Sequence, residues 1–302
     1  MNKIIDLIVK KNSSLFGSNP VIKKINIGFT NTIYNVNDCY IVKICTNVNN
    51  EESFKKEIEF YNANKDNYLI PKLYYSNVDK KDIPYYYEIL EKIKGVSLYN
   101  VWHTYTEKER EDIIRQICNA MKGMHSVKGK PYDWTKYIKN KFNKIYSEVK
   151  KFNIFNEEEQ KLLEKAYDDF DKYLDSNEFV LVHNDLHFDN IFVDNGKIKI
   201  LDFERSMYAP RDFELDIFYR MIRKPWKFAS EETEKYTDKE QYSNIISYVK
   251  KYYSELFNVP NLDERLEIYD IVYYLVQLVE YPKLEELKND VLIAVKSILE
   301  KD

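Results

Sequence analysis

Two short runs in this chain place polar residues where apolar strand residues would otherwise continue. The first reads Val182-His183-Asn184-Asp185-Leu186-His187-Phe188-Asp189-Asn190-Ile191-Phe192, and the second reads Lys199-Ile200-Leu201-Asp202-Phe203-Glu204. Asp185, Asn190 and Asp202 all fall where strands end and loops begin. One carboxylate at such a place can accept a hydrogen bond from a substrate hydroxyl. An amide oxygen and a second carboxylate can share a hard cation. Magnesium needs few protein oxygens, because water and phosphate complete its shell. At average residue usage, His-x-Asp-x-x-x-x-Asn arises in about one chain in a hundred of this length. The hairpin that follows and ends in Leu-Asp-Phe lowers that by roughly two orders of magnitude. Capping and turn roles account for Asn184, Asp189, Asp194 and Asn195 one at a time, but not for the whole constellation.

The elements that must position these residues are legible from hydrophobic spacing. The first third is strand-rich, over residues 21–28, 33–36 and 40–44, with Asn37-Asp38 as a tight turn. Residues 51–64 switch to helical spacing through Phe54, Ile58 and Tyr61, and residues 73–76 and 85–90 return to strand. Gly95 is the expected point where the chain changes lobe, dividing it into 1–94 and 95–302. Helical patterns then dominate, with Ile113, Ile117, Ala120, Met121 and Met124 as one stripe, followed by helices over 137–152 and 157–174. Strands over 179–183, 191–193 and 198–203 form an island, with Asn195-Gly196 as a hairpin signal. Helices over 215–223, 239–257, 262–279 and 284–300 complete the chain. The expected class is α+β, with a small antiparallel lobe carrying one helix and a larger, mostly helical lobe.

Composition narrows the partners. With 46 Lys+Arg against 50 Asp+Glu and a net charge of −4, no basic excess points to nucleic acid or an anionic membrane. Three scattered cysteines suggest neither a disulfide framework nor a zinc site, so a reducing cytoplasm is the expectation. Residues 1–14 read as a short amphipathic helix and not as a signal peptide. No run approaches the ~20 apolar residues of a membrane span. A cytoplasmic monomer is expected.

His183-x-Asp185-x-x-x-x-Asn190 followed by Asp202-Phe203 resembles the catalytic loop and metal-binding motif of the aminoglycoside phosphotransferases and choline kinases. These are small-molecule relatives of the protein kinases. The resemblance implies a two-lobed protein-kinase-like fold, with Asp185 as catalytic base, Asn190 and Asp202 as Mg²⁺ ligands and His183 as a loop organiser. Asn184 and Glu204 stand where a protein kinase would usually have Arg and Gly, which favours the small-molecule branch. Lys43, on the third strand, and Glu57, on the following helix, would form the ion pair that sets the lysine on the α- and β-phosphates. Glu59 is the competing partner. Gly28-Phe29-Thr30-Asn31 resembles the loop that covers the phosphates, with Gly28 and Thr30 as nucleotide-binding positions. Tyr87 to Gly95 resembles the interlobe hinge, where the Glu91 carbonyl and the Ile93 N–H would read the base. Met124-His125-Ser126 resembles a structural feature of the family.

The implied reaction is Mg²⁺-dependent transfer of the γ-phosphoryl of ATP or GTP to a hydroxyl. The first expectation for the acceptor is an aminoglycoside, with antibiotic resistance as the consequence. Glu204 and Asp216 are offered as substrate residues, from an acidic run that includes Asp212 and Glu214, with Glu280, Glu285 and Glu286 farther on. The alternatives are a choline, ethanolamine or sugar kinase of the same fold, and a catalytically silent nucleotide-binding member. For choline, the aromatic cage would come from Tyr252-Tyr253, Tyr273-Tyr274 and Trp226.

Overall fold

Alternating apolar residues in the first third build a five-stranded antiparallel sheet. The strands are β1 (Ile22–Ile25), β2 (Thr32–Val36), β3 (Tyr40–Ile44), β4 (Leu73–Asn77) and β5 (Tyr87–Glu91), in the order β1-β2-β3-β5-β4. The structure is a computed structural model that describes residues 2–25 and 31–300. The turn from β2 to β3 runs through Asn37 and Asp38 at φ 56° and 57°, a left-handed conformation that Asn and Asp tolerate better than branched residues. Helix α1 (Asn2–Lys11) and the short turn α2 (Ser13–Phe16) precede the sheet. Ile5, Ile8 and Val9 of α1 pack with Val36, Val42, Ile44 and Ile89. That seals one face of β3 and leaves Ile41 and Lys43, opposite Leu90 and Glu88, on the other. Helix α3 (Glu51–Ala63) follows β3.

The strand β6 (Val96–Ser97) and the helices α4 (Leu98–Val101), α5 (Glu107–His125), α6 (Trp134–Lys150) and α7 (Glu157–Tyr173) open the second lobe. Strands β7 (Val180–Val182), β8 (Ile191–Asp194), β9 (Lys197–Ile200) and β10 (Met207–Ala209) form the island, and α8 (Leu215–Arg223), α9 (Ile245–Tyr252), α10 (Leu262–Glu280) and α11 (Glu285–Leu299) close the chain. A capping box at Thr106 and Glu109 starts α5, and another at Asn156 and Glu159 starts α7. The expected α5 stripe is buried. Asn195 and Gly196 make the two-residue turn between β8 and β9 with φ 49° and 73°.

The sheet of the first lobe ends at Glu91, and β6 already pairs with β8 of the second lobe. Gly95 makes that passage at φ 96°, where an added Cβ would stand 2.1 Å from the Val193 carbonyl oxygen. Only glycine fits. The lobes are also joined by Lys199 Nζ to Glu91 Oε2 (3.0 Å), the Ile200 N–H to the Leu69 carbonyl (2.9 Å), and Phe60 stacked on Phe203 at 4.0 Å.

Besides the short β6 and α4, three elements differ from expectation. β9 stops at Ile200, because Asp202 takes a left-handed φ of 63° and turns the chain. The helix expected over 239–257 is broken into α9 between two 3-10 turns, Lys239–Tyr242 and Ser254–Phe257. There the Ser243 and Ser247 hydroxyls donate back to the Glu240 and Asn244 carbonyls, and such bonds compete with a continuous helix. Tyr253 leaves helical backbone at φ −149° and carries its hydroxyl to within 2.9 Å of His125 Nδ1. The strand β10, paired with β7, was not foreseen; three residues are too few for a period to show. No helix among the described residues is long and apolar enough to cross a membrane.

Candidate active site between the lobes

The loop from His183 to Asn190 is built on a buried scaffold. His183 is fully buried. Its Nδ1 accepts the Asp185 N–H at 3.2 Å, and its Nε2 lies 2.9 Å from the Leu201 carbonyl oxygen. One ring nitrogen accepts and the other donates, which fixes the tautomer. The backbone N–H groups of His183 and Asn184 donate to the two oxygens of Glu214, at 2.7 and 3.1 Å. Asn184 is left-handed at φ 64°, and its side-chain amide donates to the Arg205 carbonyl at 3.1 Å. Burial works to raise the Glu214 pKa, but contacts from His125 and His183 outweigh it and hold the carboxyl below the usual range. The His125 ring, 3.4 Å away, ties α5 to this point.

Asp185 is thereby held with its carboxylate toward open space. Its Oδ2 is 3.6 Å from Arg205 Nε and its Oδ1 is 3.9 Å from His187 Nε2. Burial pushes the His187 pKa down against the pull of Asp185 and Asp189. The Asn190 amide N–H donates to the Asp185 carbonyl at 2.8 Å, which leaves Oδ1 as the end a cation would use. Phe203, next to Asp202, packs against Phe60 and Tyr61 of α3 and against His183. One ring therefore couples the Asp202 turn, the loop and the helix that bears Glu57.

Lys43 Nζ lies 2.6 Å from Glu57 Oε2 and 2.7 Å from Glu204 Oε1. Glu59 is exposed. Burial alone would lower the Lys43 pKa, but Glu57, Glu88, Glu204 and Asp202 together raise it, so the ammonium stays charged. Burial pushes Glu57 up to about 7 against the pull of Lys43. Glu88, opposite Lys43 on β5, is pushed well up by burial and by Glu57. Neither Glu88 oxygen has a hydrogen-bond partner among the described residues.

Lys43, Glu57, Asp185, Asn190, Asp202 and Glu204 line a cavity of about 730 Å³ between the lobes, a size that suits a nucleotide. Glu91, Lys92 and Ile93 form its hinge side. Six carboxylates line it (Glu57, Glu91, Asp185, Asp189, Asp202, Glu204) against three cations, Lys43, Lys92 and Arg205. A polyphosphate entering alone would be repelled, and divalent cations entering with it reverse that sign. Asn190 and Asp202 offer two oxygen donors on one wall, which fits magnesium. No cluster of three or more His, Cys, Asp or Glu side chains forms a closed metal cage among the described residues.

A second cavity, of about 370 Å³, adjoins the first. Asp185 and Arg205 line both. Its other walls come from α6, α8 and α10, including Lys141, Asp216, Arg220 and Tyr273.

The sequence-derived residues separate between these spaces. Lys43, Glu57, Glu91, Ile93, Asp185, Asn190 and Asp202 all line the larger cavity. The Glu91 side chain turns aside to Lys199 and to the Lys72 N–H (3.1 Å), so its backbone is what remains for a ligand. Gly28 and Thr30 lie outside the described residues; Asn31 beside them donates to Glu204 Oε1 at 2.5 Å. Glu204 stands on Lys43 in the larger cavity and does not line the smaller one, whereas Asp216 does. Asp212 is buried under Arg265 and Tyr269. Glu280 lines the smaller cavity; Glu286 instead pairs with Lys224 and Lys227. Of the aromatic residues considered for a cage, only Tyr273 lines that cavity. Sequence reasoning missed Arg205, Glu214 as loop anchor, Lys141 and Arg220. For Lys141 a signal existed: it lies three residues after the buried Ile138, on the inward face of α6.

A family model described as the phosphotransferase enzyme family matches residues 21–240. No curated protein matches this sequence. Among solved structures, the chain is similar to an ADP-bound aminoglycoside phosphotransferase, APH(2'')-Ib, at 19% identity and TM-score 0.65, covering 97% of this chain and 96% of that one. It is similar to a streptomycin–ATP ternary complex of APH(2'')-IIa at 18% identity and TM-score 0.66, covering 90% and 89%. It is also similar to a choline kinase from Cryptosporidium parvum Iowa II at 16% identity and TM-score 0.59, covering 100% and 95%.

Proposed function

The chain belongs to the phosphotransferase enzyme family, and from that membership and the geometry above we propose that it transfers the γ-phosphoryl of ATP or GTP to a hydroxyl of a small molecule. The observation that carries this reading is that Asp185 lines both cavities. A nucleotide in the larger space and an acceptor in the smaller one would meet at that carboxylate. Phosphoryl transfer passes through a loose transition state, so the protein has to align the partners and neutralise charge. Asp185 would orient the acceptor hydroxyl and take its proton. Lys43, kept cationic by its carboxylates, would hold the α- and β-phosphates once Glu204 gives up its contact. Arg205, 3.6 Å from Asp185, would neutralise charge that develops on the transferring group. Asn190 and Asp202 would hold magnesium, which neutralises the phosphates when bound.

For the acceptor, an aminoglycoside is the reading that the resemblance favours, and the neighbour solved with streptomycin and ATP supports it. The choline kinase neighbour supports the runner-up. Both come from relatives; the smaller cavity, with Lys141, Arg205 and Arg220 in its walls, is of mixed sign. The test is nucleotide consumption by the purified chain with Mg²⁺ against aminoglycosides, choline, ethanolamine and simple sugars. Acceptor-dependent release of the diphosphate with one phosphorylated product per turnover is expected. Tight nucleotide binding with no acceptor-dependent turnover would point to a silent member instead.

A further inference from the structure

One cation of the smaller cavity, Lys141, has no carboxylate partner among the described residues, whereas Arg220 pairs with Asp216 and Arg205 lies 3.6 Å from Asp185. Other lysines drawn into the structure each face a carboxylate: Lys43 on Glu57 at 2.6 Å, Lys199 on Glu91 at 3.0 Å, Lys224 on Asp290 at 2.5 Å and Lys288 on Glu159 at 3.0 Å. Lys141 lines the smaller cavity, is only partly exposed, and has no hydrogen-bond or ion-pair partner among the described residues. Burial lowers its pKa and Arg220 and Arg205 lower it further, with Asp216 alone opposing. Asp216 is already committed to Arg220, at 2.9 Å from Nη1. The Arg220 guanidinium lies 3.7 Å over the Tyr273 ring, and its buried Nε–H has no acceptor. An unpaired buried donor on α8 and an uncompensated ammonium on α6 are both unfavourable unless something else supplies the acceptor. Of the acids lining this cavity besides Asp216, Asp185 is assigned to the hydroxyl and Glu280 is exposed.

We infer that the acceptor carries an anionic group, a carboxylate or a phosphate, seated against Lys141 and Arg220 while its hydroxyl stands at Asp185. This deepens the kinase reading and rests on it for the role of the hydroxyl. An anion neutralises Lys141 and adds a second acceptor beside the Arg220 guanidinium, which lines the same cavity. A polycation would instead meet Lys141, Arg205 and Arg220 beside three carboxylates, of which Asp216 is already paired with Arg220 and Asp185 lies 3.6 Å from Arg205.

The test separates this inference from the reading beneath it. Inorganic phosphate and acetate are titrated, at constant ionic strength, into the full chain saturated with Mg-ADP, and the thermal midpoint is followed. Saturable stabilisation is expected, stronger for whichever anion matches the natural group. Lys141→Met is expected to weaken it by about tenfold or more, with Lys141→Gln as a second variant should the first not fold. Lys144→Met, at an exposed position of the same helix, should leave it unchanged. In the turnover assay, glycerate or glycerol phosphate should be consumed in preference to glycerol and aminopropanediol. Equal anion affinity in the wild type and the Lys141 variants, or turnover of streptomycin with every anionic acceptor inert, overturns the inference. Should Mg-ADP itself fail to raise the midpoint, the kinase reading fails; the anion titration without nucleotide still reports on Lys141.

Discussion

Glu214 is the residue whose removal should reveal most about how the loop is held. Its two oxygens accept the His183 and Asn184 N–H groups at 2.7 and 3.1 Å in a fully buried setting. Glu214→Gln keeps one acceptor and replaces the other with an amide donor. One backbone N–H then faces a donor and loses its partner. A charge-assisted bond contributes about 1.5–3 kcal/mol, and a stranded buried donor costs about 1–3 kcal/mol. Relief from burying a charge offsets part of that, so a net loss of about 2–4 kcal/mol is expected. The wild-type carboxyl is held below the usual range. Its contribution is therefore complete above the unfolded value of about 4.5 and is lost as pH falls through the lowered folded value. The difference between variant and wild type should shrink on acidification. Because Asp185 is placed by these same N–H groups, turnover should fall by about tenfold to a hundredfold. The KM for nucleotide should move less than turnover, since Lys43 is held on β3 by Glu57 and Glu204, away from the loop. Urea unfolding at pH 7 and pH 4, with steady-state kinetics, measures both. A variant with wild-type midpoint and turnover would refute the reasoning.

Asp202→Ala should weaken Mg-nucleotide binding itself, read as a rightward shift of the magnesium dependence in a nucleotide titration; an unchanged dependence would contradict its role. Glu88→Gln should stabilise the protein increasingly as pH rises. The wild-type carboxyl is pushed well above its ordinary value, so the folded state resists losing that proton and wild-type stability falls from about pH 4.5 upward. Comparing midpoints at pH 4 and pH 8 checks the sign, and a variant less stable than wild type at pH 8 would reverse it. Gly95→Ala, with its Cβ set 2.1 Å from the Val193 carbonyl oxygen at φ 96°, should lose about 2 kcal/mol or more, as a shift in the urea midpoint.

The parts of the site legible in the sequence were those whose chemistry interrupts a pattern. Asp185, Asn190 and Asp202 stand out because each breaks an apolar strand at a fixed distance from the next. Lys43 could be placed on its sheet face because β3 alternates. The acids from Glu204 to Asp216 were read as one group because they are close in sequence, yet turns and α8 send them to different places: onto Lys43, under Arg265, beneath the loop and into the smaller cavity. Helical spacing puts Lys141 on the inward face of α6, but a sequence this rich in lysine does not show that it lacks a partner. That, and its sharing a cavity with Arg220, becomes visible only once helices far apart in the chain are packed together. The broken helix around α9 escaped for a similar reason, since the pull on Tyr253 comes from His125, 128 residues away.

Asp185→Asn, measured for nucleotide binding and for turnover in the same preparation, decides whether Asp185 acts in the reaction. The substitution keeps the shape of the side chain and removes its ability to take a proton. Mg-nucleotide affinity close to wild type with turnover abolished is the expected result. Full turnover in the variant would remove Asp185 from the reaction and contradict the account.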